Sequence, residues 1–454
     1  MTQLKTLRHE LEKEILQRGY SLSSFSRLSG VNRGVLSATL NSKIPKPISI
    51  HQLDQMNLAL DKPPGWLYDL FIEECFSAEE KSNWRRVRSL IIRCVELQRS
   101  DLINRILYLL LDDPSYIDEV FRLAENLIQK EENLAILLYK YVIEYERNSH
   151  SERLAVSHYR IFKSLIGNNI ETNLKAALTF APHRNLLPVP MQLDALLKLA
   201  NIYYSLQDWE QAVNMADELY RLSSKAYQLR MQARQNHGVI PFLDLERPLV
   251  VYYGQGLLLK CAVYEEEEKY DKAQIYVDLF ADLQWFEDEH AENQYYIDRF
   301  RFYSIIHTMN LELLTGKEQV LDRYLQILEQ HPQEVLPSTL IIIEAANKYG
   351  YNVDPLLSRY EDIIYPADIL DYLIAGSKAR YNYQDVTIGI NRYIDLYYQL
   401  AIYYCDRNVY DERLEKILYT LESTIEQYNR GRIMDCLHLF KRLRKLTESL
   451  EKQV

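Results

Sequence analysis

Three stretches of this 454-residue chain repeat one order of small and aromatic residues, and a chain that repeats a helical pair buries its apolar faces by stacking the copies. In LLKLANIYYSLQDWEQAVNMADEL, residues 196–219, Leu196, Leu199, Ala200 and Tyr203 fall on one helix face. Trp209 closes the turn, and Ala212, Ala216 and Leu219 fall on the next helix. Small residues at Ala200 and Ala212 let the two helices approach closely, while Tyr203 and Trp209 fill the wedge beside them. The same order returns at Leu257, Cys261, Tyr264, Tyr270, Ala273, Val277 and Phe280, and more loosely at Tyr397, Leu400, Ala401, Tyr404 and Tyr410. IIHTMNLELLTGKEQVLDRYLQIL, from Ile305, reads as a weaker fourth copy. From Ala212 to Ala273 is 61 residues, more than the period of about 34 for a single helical pair. A lengthened helix or an insertion is therefore expected between them, around QNHGVIPFLDLERP.

The 196–219 stretch resembles a tetratricopeptide repeat. That resemblance implies an all-α fold, a right-handed helical solenoid whose concave groove is lined by the first helix of each pair and holds an extended peptide. In such a groove Asn201, Tyr204 and Ser205 of one copy and Gln255, Glu265 and Glu266 of another project inward, with Asn310 and Asn347 as further candidates. An amide side chain suits the task, since it both donates to and accepts from a peptide unit. The 36 tyrosines fit a fold with much half-buried surface, where a ring packs and its hydroxyl stays wet.

The front of the chain is different. Leu4, Leu7, Leu11, Ile15 and Leu16 mark a first helix ending near Gly19. Ser21 caps a second, with Leu22, Phe25 and Leu28 inward, and Gly30 supplies the positive φ of a tight exit. Asn32 caps a third, Arg33 to Leu40, with Leu36, Thr39 and Leu40 facing the core. Ile50, Leu53, Met56, Leu58 and Leu60 predict a fourth helix, and Pro63 and Pro64 open a fifth through Trp66 and Leu70. The stretch LSSFSRLSGVNRGVLSATLNSK resembles the helix-turn-helix of phage-repressor (Xre/Cro-like) DNA-binding domains, and the resemblance covers about the first 70 residues. It implies that Arg33, Gly34 and Ala38 face bases, that Ser37 and Asn41 reach the groove, and that Lys43 and Lys46 lie along the phosphates. Small residues at Gly34 and Ala38 leave sequence choice to Arg33, apolar contacts and DNA shape.

Charge divides the chain in the same place. Residues 1–70 hold nine Lys and Arg against six Asp and Glu, about +3, so a net charge of −11 leaves about −14 for the rest. No apolar run reaches the roughly 18 residues of a membrane span, and the first residues are charged rather than signal-like, so a cytoplasmic protein is expected. The five cysteines are scattered without a CxxC pair and read as small buried residues. The ten histidines form no HExxH, so no metal site and no cofactor are expected. GxxxxGK[ST], GxSxG and a full GxGxxG are absent, and GQG at Gly254–Gly256 reads as close helix packing, so no enzyme is expected.

These parts divide the chain into a DNA-binding domain over 1–70, a linker helix with degenerate repeats over 71–190, and peptide-binding repeats over 191–430. A C-terminal helix over 431–454 follows, which caps the array or dimerises it, with Ile433, Leu437, Phe440 and Leu443 on one face. The combination resembles the intracellular peptide-pheromone receptors of Gram-positive bacteria, the RRNPP superfamily. That resemblance implies a homodimeric quorum-sensing transcription regulator, carried in some cases by a mobile element, with operator DNA and a short signalling peptide as partners. An adaptor that regulates a partner protein, or a ligand-independent dimeric repressor, would share much of the same sequence pattern.

Overall fold

A computed structural model describes residues 6–42, 46–76, 83–111, 113–242, 244–288, 290–379, 386–409, 412–434, 436–437 and 439–441. The fold is all-α, with no strand among the described residues. Two compact units divide at residues 161 and 162, within one helix.

The first unit comprises α1 (Leu7–Gln17), α2 (Leu22–Ser29), α3 (Arg33–Leu40), α4 (Ile50–Ala59), α5 (Tyr68–Cys75), α6 (Trp84–Glu96), α7 (Ser100–Leu110), α8 (Ile117–Leu127) and α9 (Glu132–Glu146). Their starts follow local chemistry. Ser21 and Ser24 exchange side-chain and backbone hydrogen bonds in a capping box, and Asn32 Oδ1 accepts from the Gly34 N–H at 2.7 Å. Between α2 and α3 the chain turns at Gly30 with φ 72°, and the Ser26 hydroxyl donates to the Val31 carbonyl at 2.8 Å. One continuous core runs from Leu7 through Phe25, Leu36, Leu53, Phe71 and Leu90 to Val142. Asp54 ties three helices together, accepting from Tyr68 Oη and from Arg93 Nε, each at 2.7 Å.

Several inward assignments are corrected. Leu16, Leu28 and Leu58 are 65%, 51% and 79% exposed. In α2 the inward place falls to Ser29, whose hydroxyl donates to the Phe25 carbonyl at 2.7 Å and so enters the core with its polar atom satisfied. The fifth helix begins at Tyr68 rather than at the prolines. Asp61, Gly65 and Leu67 all take positive φ, which breaks helical geometry over the stretch that holds Pro63 and Pro64. Leu4 lies outside the described residues.

From α10 (Glu152–Leu165), which spans the division, the second unit continues with α11 (Ile170–Phe180), α12 (Val189–Ser205), α13 (Trp209–Gln235), α14 (Leu249–Glu266), α15 (Tyr270–Ala281) and α16 (Asn293–Leu314). It ends with α17 (Leu321–Gln330), α18 (Val335–Tyr349), the short α19 (Asp354–Arg359) and α20 (Glu361–Ile364), α21 (Ile369–Ala379), α22 (Val386–Asp406) and α23 (Glu412–Tyr428). Neighbours in sequence pack on one another, α12 on α13, α13 on α14, α14 on α15, α15 on α16 and α22 on α23. Leu196, Leu199, Ala200, Tyr203, Ala212, Ala216 and Leu219 are all buried, as are Leu257, Cys261, Ala273, Val277, Phe280, Tyr397, Leu400, Ala401 and Tyr404. Tyr410 lies outside the described residues.

The long interval after Ala212 is filled by α13, 27 residues in length, and by the irregular segment that follows it. A buried ion pair fixes that segment. Arg230 meets Asp288 at 2.6 Å and donates to the carbonyls of Pro241 and Phe242, while Asp288 Oδ2 accepts from the Leu249 N–H at 2.9 Å.

At the C-terminus, Cys436 and Leu439 are buried, whereas Ile433, Leu437 and Phe440 are 45%, 38% and 40% exposed. The apolar face read from the sequence is thus not the face that seats the segment, and Leu443 lies outside the described residues. No helix among the described residues is long and apolar enough to cross a membrane.

Candidate functional site

Two surfaces hold the residues singled out by sequence. On α3 and at its C-cap, Arg33, Gly34 and Asn41 are exposed and Ser37 and Ala38 are half-buried, while Leu36, Thr39 and Leu40 face the core. Thr39 Oγ1 donates to the Lys46 carbonyl at 3.0 Å, and the Lys46 N–H donates to the Ala38 carbonyl at 3.0 Å. These bonds fold the chain back over the end of α3 and leave Lys46 exposed beside it. Lys43 lies outside the described residues. Gly34 has a local cause, because a Cβ there would stand 3.1 Å from the capping oxygen of Asn32.

The second surface is a cavity wholly inside the second unit. Its wall alternates along the chain: α12, α14, α16, α18 and α22 line it, and most of the helices between them contribute nothing. Helix α12 presents Asn201, Tyr204 and Ser205, and α14 presents Gln255, Glu265 and Glu266. From α16 come Arg299, Tyr303, His307 and Asn310, and from α22 come Asn391, Arg392 and Asp395. Of the eight residues proposed from the sequence, seven line this one cavity. The eighth, Asn347, joins α18 to α22, with its amide nitrogen donating to the Gln399 backbone and side-chain oxygens at 2.9 Å each. Asn310 is partly committed, since its Oδ1 accepts from Tyr324 Oη at 2.6 Å.

The wall closes where α12 meets α22, elements more than 180 positions apart in the chain. Ser205 Oγ and Thr387 Oγ1 stand 3.1 Å apart, and Asn391 Nδ2 donates to the Ser205 carbonyl. Asn391 Oδ1 in turn accepts from Asn429 Nδ2 at 2.9 Å. The polar side chains of this buried junction thereby meet one another or the backbone.

Charge inside the cavity is mixed and unevenly placed. Arg299 lies over the Tyr303 ring at 4.9 Å and 3.7 Å from Glu334, and Asp395 meets Arg432 at 2.6 Å. Tyr204 Oη donates to Glu266 at 3.4 Å. Glu266 opens to the cavity yet is ringed by protein. Loss of water around it, and then the charges of Asp395 and Glu265, push its carboxyl up to about 7, against the opposing pull of Tyr204 and Arg392. Glu344 on α18 is held well above the ordinary carboxylate range, by burial first and then by Glu266 and Asp395. Burial likewise raises the phenols of Tyr204 and Tyr303. Amides, a carboxylate that exchanges its proton near neutral pH, and arginines with aromatic faces suit a ligand with backbone-like polar groups and both signs of charge.

Arg299, Tyr303, His307, Asn391, Arg392 and Asp395 were not singled out by sequence. The signal was present for the α16 residues, since stepping back from Asn310 by three- and four-residue intervals reaches His307, Tyr303 and Arg299 on one helix face. Compared with protein-family models, curated proteins and solved structures, the chain matches none.

Proposed function

We propose that this protein is a DNA-binding transcriptional regulator of the peptide-receptor kind, a tetratricopeptide-like solenoid behind a helix-turn-helix. A short signalling peptide held in the cavity controls its affinity for an operator. The observation that carries the reading is the alternation of the cavity wall, in which the first helix of each pair faces inward with amides and charges. An extended peptide lying across α12, α14, α16 and α22 would have its backbone met by Asn201 and Gln255. Support for the DNA side is the exposed start of α3, with Arg33 at its tip and a Gly-containing turn before it.

The mechanism follows from the closure of the wall. A peptide that bridges α12 and α22 favours one curvature of the helical array, and in a homodimer that curvature sets the spacing of two DNA-binding units. Half-sites on one face of the duplex lie about 34 Å apart, so a small change of spacing alters affinity. The peptide must favour one state by about 1.4 kcal/mol to move the populations tenfold. The exposed row Ile433, Met434, Leu437 and Phe440 offers apolar surface for such a dimer.

Titration calorimetry with short peptides encoded beside the gene tests the ligand half of the proposal. Saturable binding in the wild type, weakened about tenfold or more in Asn201→Ala and Gln255→Ala, supports it. Mobility-shift assays test the other half. Arg33→Ala is expected to weaken operator binding by about 1–3 kcal/mol while leaving peptide binding unchanged. An unaltered shift in that variant would point to a docking role for the front unit instead.

A further inference from the structure

Helix α14 places Cys261 and Glu265 one turn apart, and α16, the next cavity-lining helix, brings His307 against both. Glu265 Oε1 and His307 Nδ1 are 2.7 Å apart, and Cys261 Sγ stands 3.7 Å from each of them. Three donors of three kinds thus form one small triangle. Cys261 is fully buried and Glu265 is 8% exposed. His307 is half-buried, its ring set edge-on to Phe280 with centroids 6.0 Å apart. Around zinc, with bonds of about 2.0–2.1 Å to nitrogen, 2.0–2.2 Å to oxygen and 2.3 Å to sulfur, tetrahedral donors lie about 3.3–3.6 Å from one another. The two edges that include sulfur already have nearly that length. Only the Glu265–His307 edge must open, by roughly half an ångström, as a shared cation replaces a shared proton.

We propose that Cys261, Glu265 and His307 form a binding site for a zinc-class divalent cation, with its open coordination position facing the cavity. Direction follows from the lining, because Glu265 and His307 border the cavity and Cys261 stands behind them. The donor set selects the metal: thiolate and imidazole favour zinc and its late first-row neighbours over magnesium or calcium. Three protein ligands with one place left over is the arrangement of zinc sites that accept an outside ligand, here water or a donor group of a cavity occupant. On binding, the Cys261 thiol releases its proton to solvent, and the proton between Glu265 and His307 Nδ1 is given up to solvent as well, so that a neutral His307 with its proton on Nε2 presents the Nδ1 lone pair. Burial and the neighbouring Glu265 keep the Cys261 thiol protonated in the absence of a cation.

Cobalt is the probe, added to full-length, chelator-treated and reduced protein in the absence of peptide and DNA. The expected result is a thiolate-to-cobalt charge-transfer band and intense visible bands of tetrahedral cobalt, saturating near one ion per chain and displaced by zinc. Cys261→Ser should abolish the charge-transfer band, and His307→Ala should weaken binding more than about tenfold. Cys94→Ser, which changes another buried cysteine, should leave the bands unchanged. Where circular dichroism shows that Cys261→Ser does not fold, Glu265→Gln and His307→Ala carry the test. Absence of a charge-transfer band in the wild type, or an equal band in folded Cys261→Ser, would overturn the site and leave a hydrogen-bonded trio. Because no peptide or operator enters the assay, that failure would be distinct from failure of the regulatory proposal.

Discussion

At the scale of single residues, the cavity side of the second unit combines tight packing with exposed charge. Gly254 shows the first, since a Cβ there would stand 2.3 Å from the ring of Phe300, itself buried between Phe280 and Tyr303. Alanine normally favours a helix over glycine by about 1 kcal/mol, yet displacing a core ring costs about 1–3 kcal/mol. Gly254→Ala is therefore expected to lower stability in chemical denaturation, and Phe300→Leu in the same chain to restore part of the loss. Glu266 shows the second. A carboxyl whose folded-state value is raised from 4.5 to about 7 binds its proton more tightly folded than unfolded, so its ionisation opposes folding. That opposition is absent below about pH 4.5, grows through the interval up to about 7 and is complete above it. Glu266→Gln should raise the melting temperature relative to wild type at pH 8 and make little difference at pH 4.5. A pH-independent difference would contradict this account of the cavity.

At the scale of elements, the helices were legible and some of their faces were not. Three- and four-residue spacing predicts Phe25, Leu36, Leu53 and the buried set of 196–219, because a helix that must bury a stripe repeats its apolar residues near its own period. Leu16, Leu28 and Leu58 are each the next-to-last residue of their helix, where a side chain has few neighbours within its own helix, and they stay exposed. Ser29 reverses the ordinary preference because a local hydrogen bond satisfies it. The segment after α13 shows what spacing alone does not reveal. Its length announces an insertion, but what holds it is the Arg230–Asp288 pair, formed between residues 58 positions apart. Asp288→Ala would leave a buried guanidinium without its carboxylate and should cost about 3–5 kcal/mol. Replacing both partners by apolar residues of similar volume should cost less than the single change, as read from denaturation midpoints.

At the scale of the whole chain, the junction between α12 and α22 brings two distant helices of the stacked row together beside the cavity. Asn391→Ala would remove the donor to the Ser205 carbonyl and the acceptor for Asn429. Leaving such groups unmet costs about 1–3 kcal/mol, and hydrogen exchange at the end of α12 and the start of α22 should quicken while exchange in α14 and α15 stays slow. Uniform quickening across the unit would mean that the junction holds the fold rather than the cavity. Local pattern was enough to give the all-α fold, the buried positions of the repeated stretches and the residues offered by α12 and α14, since periodicity and small-residue spacing are local properties of the chain. Packing between distant helices is what brings α12 to α22, ties Asn347 of α18 to Gln399 of α22, and gathers Cys261, Glu265 and His307 at one point. Those contacts join residues about 40 to 190 positions apart, and their partners are fixed by how the helices stack rather than by any pattern within one helix.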